Sequence, residues 1–307
     1  MPTLASPRTG GLPLLPAAAF VLVWSSGYVV TPIGVDAIAP LWILAMRFAL
    51  AGALAAVIAL ALRRRVGASR RDLGRIALVG IVLNGVVFSA MFSAFGLGLD
   101  ATFGALVHSL SPVLTVVLAG LLLRERLTRV QVVGFVVGVL GVLLVLIPDL
   151  EGTGGPVAIG LALFSLLGLS LGTLGQRWIG DAPDPLWSTA VQCAASAPFV
   201  AVLALLVEDG PVVSDPVVGL VALAYMVVGN SLAGLLLLGL LVRAGGAGAA
   251  SATFFLMPPV TAVLAYVFLG DVLGPVELVG LLVAAAGVAA ATLGARPRDE
   301  EPPPVAG

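Results

Sequence analysis

The sequence predicts an all-α membrane protein of ten transmembrane helices, built as two inverted five-helix repeats. Three observations predict it. Hydrophobic residues make up 60% of the 307-residue chain and charged residues only 10%, against roughly 45–50% and about 25% in soluble domains. Ser111–Gly134 (SPVLTVVLAGLLLRERLTRVQVVG) recurs without a gap as Met257–Gly280 (MPPVTAVLAYVFLGDVLGPVELVG), an offset of 146 residues (257 − 111). Arginines and acids fall in alternate connections along the chain.

A helix of about 20 apolar residues crosses a bilayer. Ten stretches qualify: 14–34, 40–62, 73–97, 101–123, 129–148, 156–178, 184–207, 214–242, 246–269 and 275–294. The first is too long for a signal peptide and lacks a good cleavage site. Ala39-Pro40 separates it from the second, which ends at Arg63-Arg64-Arg65. The third and fourth carry mid-span polar groups and the segment's first copy. Pro148-Asp149 ends the fifth, and Gly152-Thr153-Gly154-Gly155 leads into the sixth. Asp181-Ala182-Pro183-Asp184 divides the sixth from the seventh, and Gly245-Gly246 separates the eighth from the ninth. The fifth and tenth carry small-residue faces, Gly134 to Gly138 and Ala284 to Gly287, suited to close packing. Residues 14–148 and 156–294 are thus the two repeats. The tails, 1–13 and 295–307, are polar and Pro-rich, and are expected to be disordered.

Charge placement sets the orientation. With a cytoplasmic N-terminus, the inside segments hold fourteen of the fifteen arginines, all but Arg47. The outside connections hold none and carry Asp36, Asp100, Glu208, Asp209, Asp215 and Asp271 among their acids. Such asymmetry places both termini in the cytoplasm and the chain in the inner (plasma) membrane. Five spans per repeat is odd, so the second copy must be upside down.

Composition also excludes chemistries. Without any lysine there is no Walker A lysine for an ATP-driven pump and no Schiff-base lysine. One cysteine, Cys193, forms no intrachain disulfide, and one histidine, His108, makes neither an HExxH zinc site nor a bis-histidine haem. No cofactor is expected, and no enzyme: an intramembrane protease needs paired Asp, HExxH, or a Ser with a His on another helix.

Trp24-Ser25-Ser26-Gly27 in the first span, Arg47-Phe48 in the second and the two Pro-to-Gly blocks resemble the EamA-like drug/metabolite transporters, over about residues 14–294. The second block departs from the pattern, with Asp271 in place of Glu and Gly274-Pro275 in place of Thr. The resemblance implies ten helices, with a cavity walled by the first four and the sixth to ninth. It also implies export of amino acids or similar small metabolites, with relatives that carry sugar conjugates. It makes Glu125 and Asp271 a structural signature; as span-end carboxylates they would reach water or a neighbouring arginine.

The site candidates are polar or aromatic groups inside spans, which cost energy unless partnered and so point inward. Arg47 reads as an anchor for a substrate carboxylate or phosphate, or else as a group that snorkels or ties to Asp36 or Asp100. His108, the one intramembrane group that titrates near neutrality, makes protons the candidate coupling ion, with a plain interhelical hydrogen bond as the alternative. Asn84, Ser89, Ser93, Gln192 and Asn230 with Ser231 would make a mildly polar cavity or serve as interhelical glue. Trp24, Tyr28, Tyr225 and Phe254 are aromatic lining candidates. Pro112, Pro258 and Pro259 fall inside spans four and nine at equivalent places, the mark of repeat-related broken helices.

The expected function is secondary transport by alternating access, with a small-molecule metabolite and the lipid bilayer as partners and no nucleic acid. Assembly as a homodimer is left open. A sugar-phosphate or nucleotide-sugar antiporter of the same fold is the alternative, although such substrates want several cavity cations.

Overall fold

The structure is a computed structural model that describes residues 14–123, 128–146, 154–176, 179, 184–234, 236–238, 240–241 and 253–293. Among these it is helical, with no strand and one isolated bridge, Ile38 to Val213. Seven helices are long and apolar enough to cross a membrane. In chain order they begin with α1 (Leu14–Ala37), α2 (Pro40–Ala61), α3 (Arg70–Gly96) and α4 (Ala101–Leu122). After the shorter α5 (Arg129–Leu146) come α6 (Gly155–Gln176), α7 (Pro185–Val207) and α8 (Pro216–Leu238). The shorter apolar helices α9 (Met257–Leu269) and α10 (Pro275–Leu293) close the described chain. The seven helices overlap the spans read from the sequence, with ends moved by a few residues. Glu125 lies outside the described residues.

Caps explain the starts. Ser69 and Asp72 form a reciprocal capping box at α3. Asp100, Asp184 and Asp215 accept from first-turn amides of α4, α7 and α8, the last two with proline at the first helical position. Helix α2 has Pro40 there but Ala39 before it, which offers no side-chain acceptor. Its cap comes from the far half of the chain: Glu208 Oε1, just past α7, accepts from Leu41 N at 2.8 Å. Burial pushes the Glu208 carboxyl up, while the amides of Leu41 and Trp42 pull it down. Ala39 N also donates to Val212 O at 2.9 Å, which ties the α1–α2 turn to the α7–α8 connection.

Helix α4 breaks at Leu110 and resumes at Ser111 with Pro112 in its first turn. Helix α9 is preceded by a 3₁₀ turn, Thr253–Leu256, and starts at Met257 with Pro258 and Pro259. Both breaks lie where proline removes an amide and crowds the preceding turn. A second pair of irregularities is also repeat-related. Helix α3 contains a π turn over Ile81–Val86 and α8 one over Met226–Ala233. Asn84 and Asn230 occupy equivalent places in them, 146 residues apart (230 − 84).

The repeats also meet in a symmetric seam between α5 and α10. A Cβ on Gly141 would overlap Ala284, and one on Gly287 would overlap Gly138. These two contacts exchange under the repeat, since Gly141 corresponds to Gly287 and Gly138 to Ala284. Only small residues allow helices to approach this closely.

Candidate functional site

The polar and aromatic candidates gather in four clusters, three of them around the Trp24-Ser25-Ser26-Gly27-Tyr28 stretch of α1. Helix α1 can approach α8 there because Gly27 lacks a side chain; a Cβ would stand 2.8 Å from Asn230 Nδ2. The Asn230 amide donates to Val23 O at 2.5 Å, while its Oδ1 is shielded and accepts no hydrogen bond. Tyr225 Oη stands 2.6 Å from Ser26 Oγ.

On the residue after Gly27, Tyr28 Oη is 3.0 Å from His108 Nδ1, and His108 Nε2 is 2.9 Å from Ser165 Oγ. Ser165 donates its only proton to Val87 O at 2.8 Å. The serine oxygen therefore accepts from His108 Nε2–H, and Nδ1 accepts from the tyrosine hydroxyl. This neutral tautomer uses both ring nitrogens and joins α1, α4, α6 and α3. His108 is thereby placed as an interhelical link. Its repeat counterpart, Phe254, packs at 5.7 and 5.9 Å from the rings of Phe20 and Trp24. Phe20 is in turn the counterpart of Ser165, 145 residues apart (165 − 20). One pair of positions thus holds a hydrogen bond in one half and an aromatic contact in the other.

Arg47 forms the fourth cluster. It faces the bundle interior, 7% exposed, and its Nε donates to Ser231 Oγ in the π turn of α8 at 3.2 Å. Its Cζ lies 5.8, 5.1 and 5.9 Å from the ring centroids of Phe48, Phe88 and Phe92. Such contacts are worth about 2 kcal/mol when desolvated, more than at exposed sites. Among the described residues Arg47 makes no ion pair, so the ties to Asp36 or Asp100 considered above are absent. With Nε engaged, the two terminal nitrogens of the fork remain for an acceptor.

The remaining candidates stand apart. Gln192 packs across Gly80, where a Cβ would stand 2.6 Å from its Cα. It is also the repeat counterpart of Arg47. Pro40-Leu41-Trp42 and Pro185-Leu186-Trp187 open α2 and α7 in the same order, and the resulting offset of 145 (185 − 40) pairs residues 47 and 192. That tripeptide was a legible signal the sequence reading did not use. Asn84 is half-buried in its π turn. Asp271 follows the left-handed Gly270 (φ 77°) and lies beside Asp100 instead of an arginine; burial and that second carboxylate push it up to about 6. Trp24, Tyr28, Arg47, His108 and Phe254 line neither of two cavities, one between α3, α6 and α7 and the other in the α5–α10 groove.

The two broken helices are held in matching fashion. Ser25 Oγ donates to Met257 O at 3.2 Å, and Ser170 Oγ stands 3.3 Å from Ser111 O. Ser170 is the counterpart of Ser25, and Ser111 that of Met257. Each acceptor is the carbonyl directly before a helix-breaking proline.

The EamA-like transporter family matches this chain over residues 12–147 and 156–293. The uncharacterized transporter YyaM of Bacillus subtilis is 31% identical over 233 residues, covering 72% of this chain and 74% of its own length. The uncharacterized transporter YvbV of the same organism is 25% identical over 248 residues, 80% of each chain. A protein known by its crystal structure superposes with a TM-score of 0.63, covering 92% of this chain and 98% of its own; at 22% identity this is a likeness of fold.

Proposed function

The chain belongs to the EamA-like transporter family, and from that premise we propose that it is a secondary transporter exporting amino acids or similar small metabolites by alternating access. The observation that carries this reading is Arg47: a buried guanidinium from the first repeat, bonded to Ser231 of the second and without an acid partner among the described residues. A substrate carboxylate bound to its free fork would bridge the halves, and relative motion of the halves would expose it to each side in turn. The paired breaks before Pro112 and Pro258 supply two places where the backbone can bend, because proline leaves the helical hydrogen-bond ladder incomplete there.

The orientation belongs to the same proposal. Both termini face the cytoplasm, because that choice alone gathers fourteen of fifteen arginines on one side. Antiport of sugar phosphates fits less well: Arg47 is the one buried arginine among the described residues, and a phosphate of two charges calls for more.

Efflux from proteoliposomes loaded with a metabolite panel tests the reading. Saturable efflux of one amino-acid-like solute, lost in Arg47→Ala, is expected. A purified protein that moves none of the panel overturns it.

A further inference from the structure

A cavity of about 500 Å³ lies away from Arg47, between α3, α6 and α7 at the start of α2. Its size falls within the roughly 300–1,000 Å³ of small-molecule sites. Helix α3 is a shared wall: Phe88 and Phe92 face Arg47, whereas Ser89 and Ser93 line the cavity. The mouth is apolar and lateral, since Leu97, Phe164 and Val207 are 51%, 54% and 67% exposed on the flank of the bundle.

Two polar atoms give the cavity a direction. Glu208 Oε1 serves as the cap of α2, but its Oε2 is shielded and makes no hydrogen bond; the same holds for Ser89 Oγ. Gly96 stands level with Pro40, because a Cβ there would lie 2.6 Å from Pro40 Cγ. Ser89 lies seven residues earlier in α3 (96 − 89), hence about 10 Å deeper at about 1.5 Å per residue. The carboxylate therefore marks the rim, next to the helix ends, and the apolar walls run inward from it.

We propose that this cavity binds an amphiphilic amine taken up from the membrane, with its protonated nitrogen on Glu208 Oε2 once the side chain turns that oxygen into the cavity, and its apolar body between Phe164 and Phe199. A shielded carboxylate oxygen without a donor is costly, and a charge-assisted N–H···O bond is the strong way to satisfy it. The lining contains no arginine, so a phosphate beside the amine would have no partner. That charge pattern selects a phosphate-free amine over a phospholipid headgroup. The site rests on Glu208 and the cavity walls, and is independent of the transport reading.

Binding of radiolabelled dodecylamine to the full chain in phosphatidylcholine nanodiscs tests this, with empty nanodiscs subtracting simple partition and dodecanol as the uncharged match. At pH 7 the amine is protonated. Saturable amine binding at least about tenfold tighter than dodecanol is expected, as for a hydrogen bond to a charged group. Glu208→Gln keeps an oxygen for the Leu41 amide and should lower amine affinity to the dodecanol level. Ser89→Phe, which fills the cavity and leaves Glu208 in place, should abolish binding of both. Equal affinity for amine and alcohol overturns the proposal, as does unchanged binding in either variant. Displacement of the amine by added phosphatidylethanolamine also overturns it, assigning the cavity to a lipid headgroup.

Discussion

Ser25 donates its hydroxyl to the carbonyl of Met257 at 3.2 Å, one residue before the proline in the first turn of the ninth helix. Ser170 stands in the same relation to Ser111 before Pro112, and both serines are fully buried. The break in each repeat is thus held by a hydroxyl of the helix that begins the opposite repeat.

Ser25→Ala should cost about 1 kcal/mol, the net worth of a typical intramolecular hydrogen bond, and up to about 3 if the carbonyl is left unsatisfied. Ser170→Ala should cost less: that hydroxyl also reaches Leu166 O within its own helix at 3.0 Å, so part of its bonding is local. Thermal unfolding in detergent checks both, and a greater loss in Ser170→Ala would contradict this ordering.

Arg47→Lys should fail to restore transport even though it keeps the charge. An ammonium lacks the planar fork that bonds Ser231 through one edge and offers two further nitrogens, and it stacks less well on three phenyl rings. Efflux at saturating internal substrate should fall at least about tenfold, the cost of one hydrogen bond to a charged group. Transport at the wild-type rate in the lysine variant would show that the guanidinium is structural.

Asp271 makes stability depend on pH in an unusual sense. Asp271 is raised from 3.8 to about 6, so between these values the folded chain binds more protons than the unfolded one. Stability then falls as pH rises through that window and is flat above it. The melting temperature should drop from pH 4 to pH 6.5 in the wild type, and Asp271→Asn should remove that drop. An ordinary carboxylate, lowered on folding, would give the opposite slope.

His108→Gln should leave the pH dependence of transport unchanged. Both imidazole nitrogens are already committed to Tyr28 and Ser165, which makes the ring a neutral tie between helices. The variant should melt lower, because Ser165 and Tyr28 lose a partner of the same reach. A shifted pH profile with an unaltered melting temperature would instead assign His108 to proton coupling.

Sequence carried the repeat, the helix breaks and the inward-facing Arg47, because each is written in residue types at fixed spacing. The prolines announce broken helices, and a lone arginine among apolar residues has to turn inward. The partners were less legible. Which residue meets Arg47 depends on how α2 lies against α8, and Ser231 was one of several mid-span polar groups with nothing to single it out. The π turns left no compositional trace beyond their two asparagines. Glu208 looked like one of several acids at span ends; its role as the cap of α2 requires two helices of opposite repeats to bring their ends together. The neighbour of Asp271 was illegible for a related reason: it is Asp100, and no local pattern foretells a contact between two acids so far apart in the chain.

The seam between α5 and α10 has an evolutionary consequence. In a single five-helix ancestor that paired with an upside-down twin, the Gly141 to Ala284 and Gly138 to Gly287 contacts would have been one contact made twice. Any enlarged side chain there would have appeared on both sides at once and been purged at once. After fusion each glycine mutates alone, yet it still faces the descendant of its own former neighbour. The seam leaves either half room for little beyond glycine or alanine, whereas His108 and Phe254 show equivalent positions elsewhere holding unlike side chains.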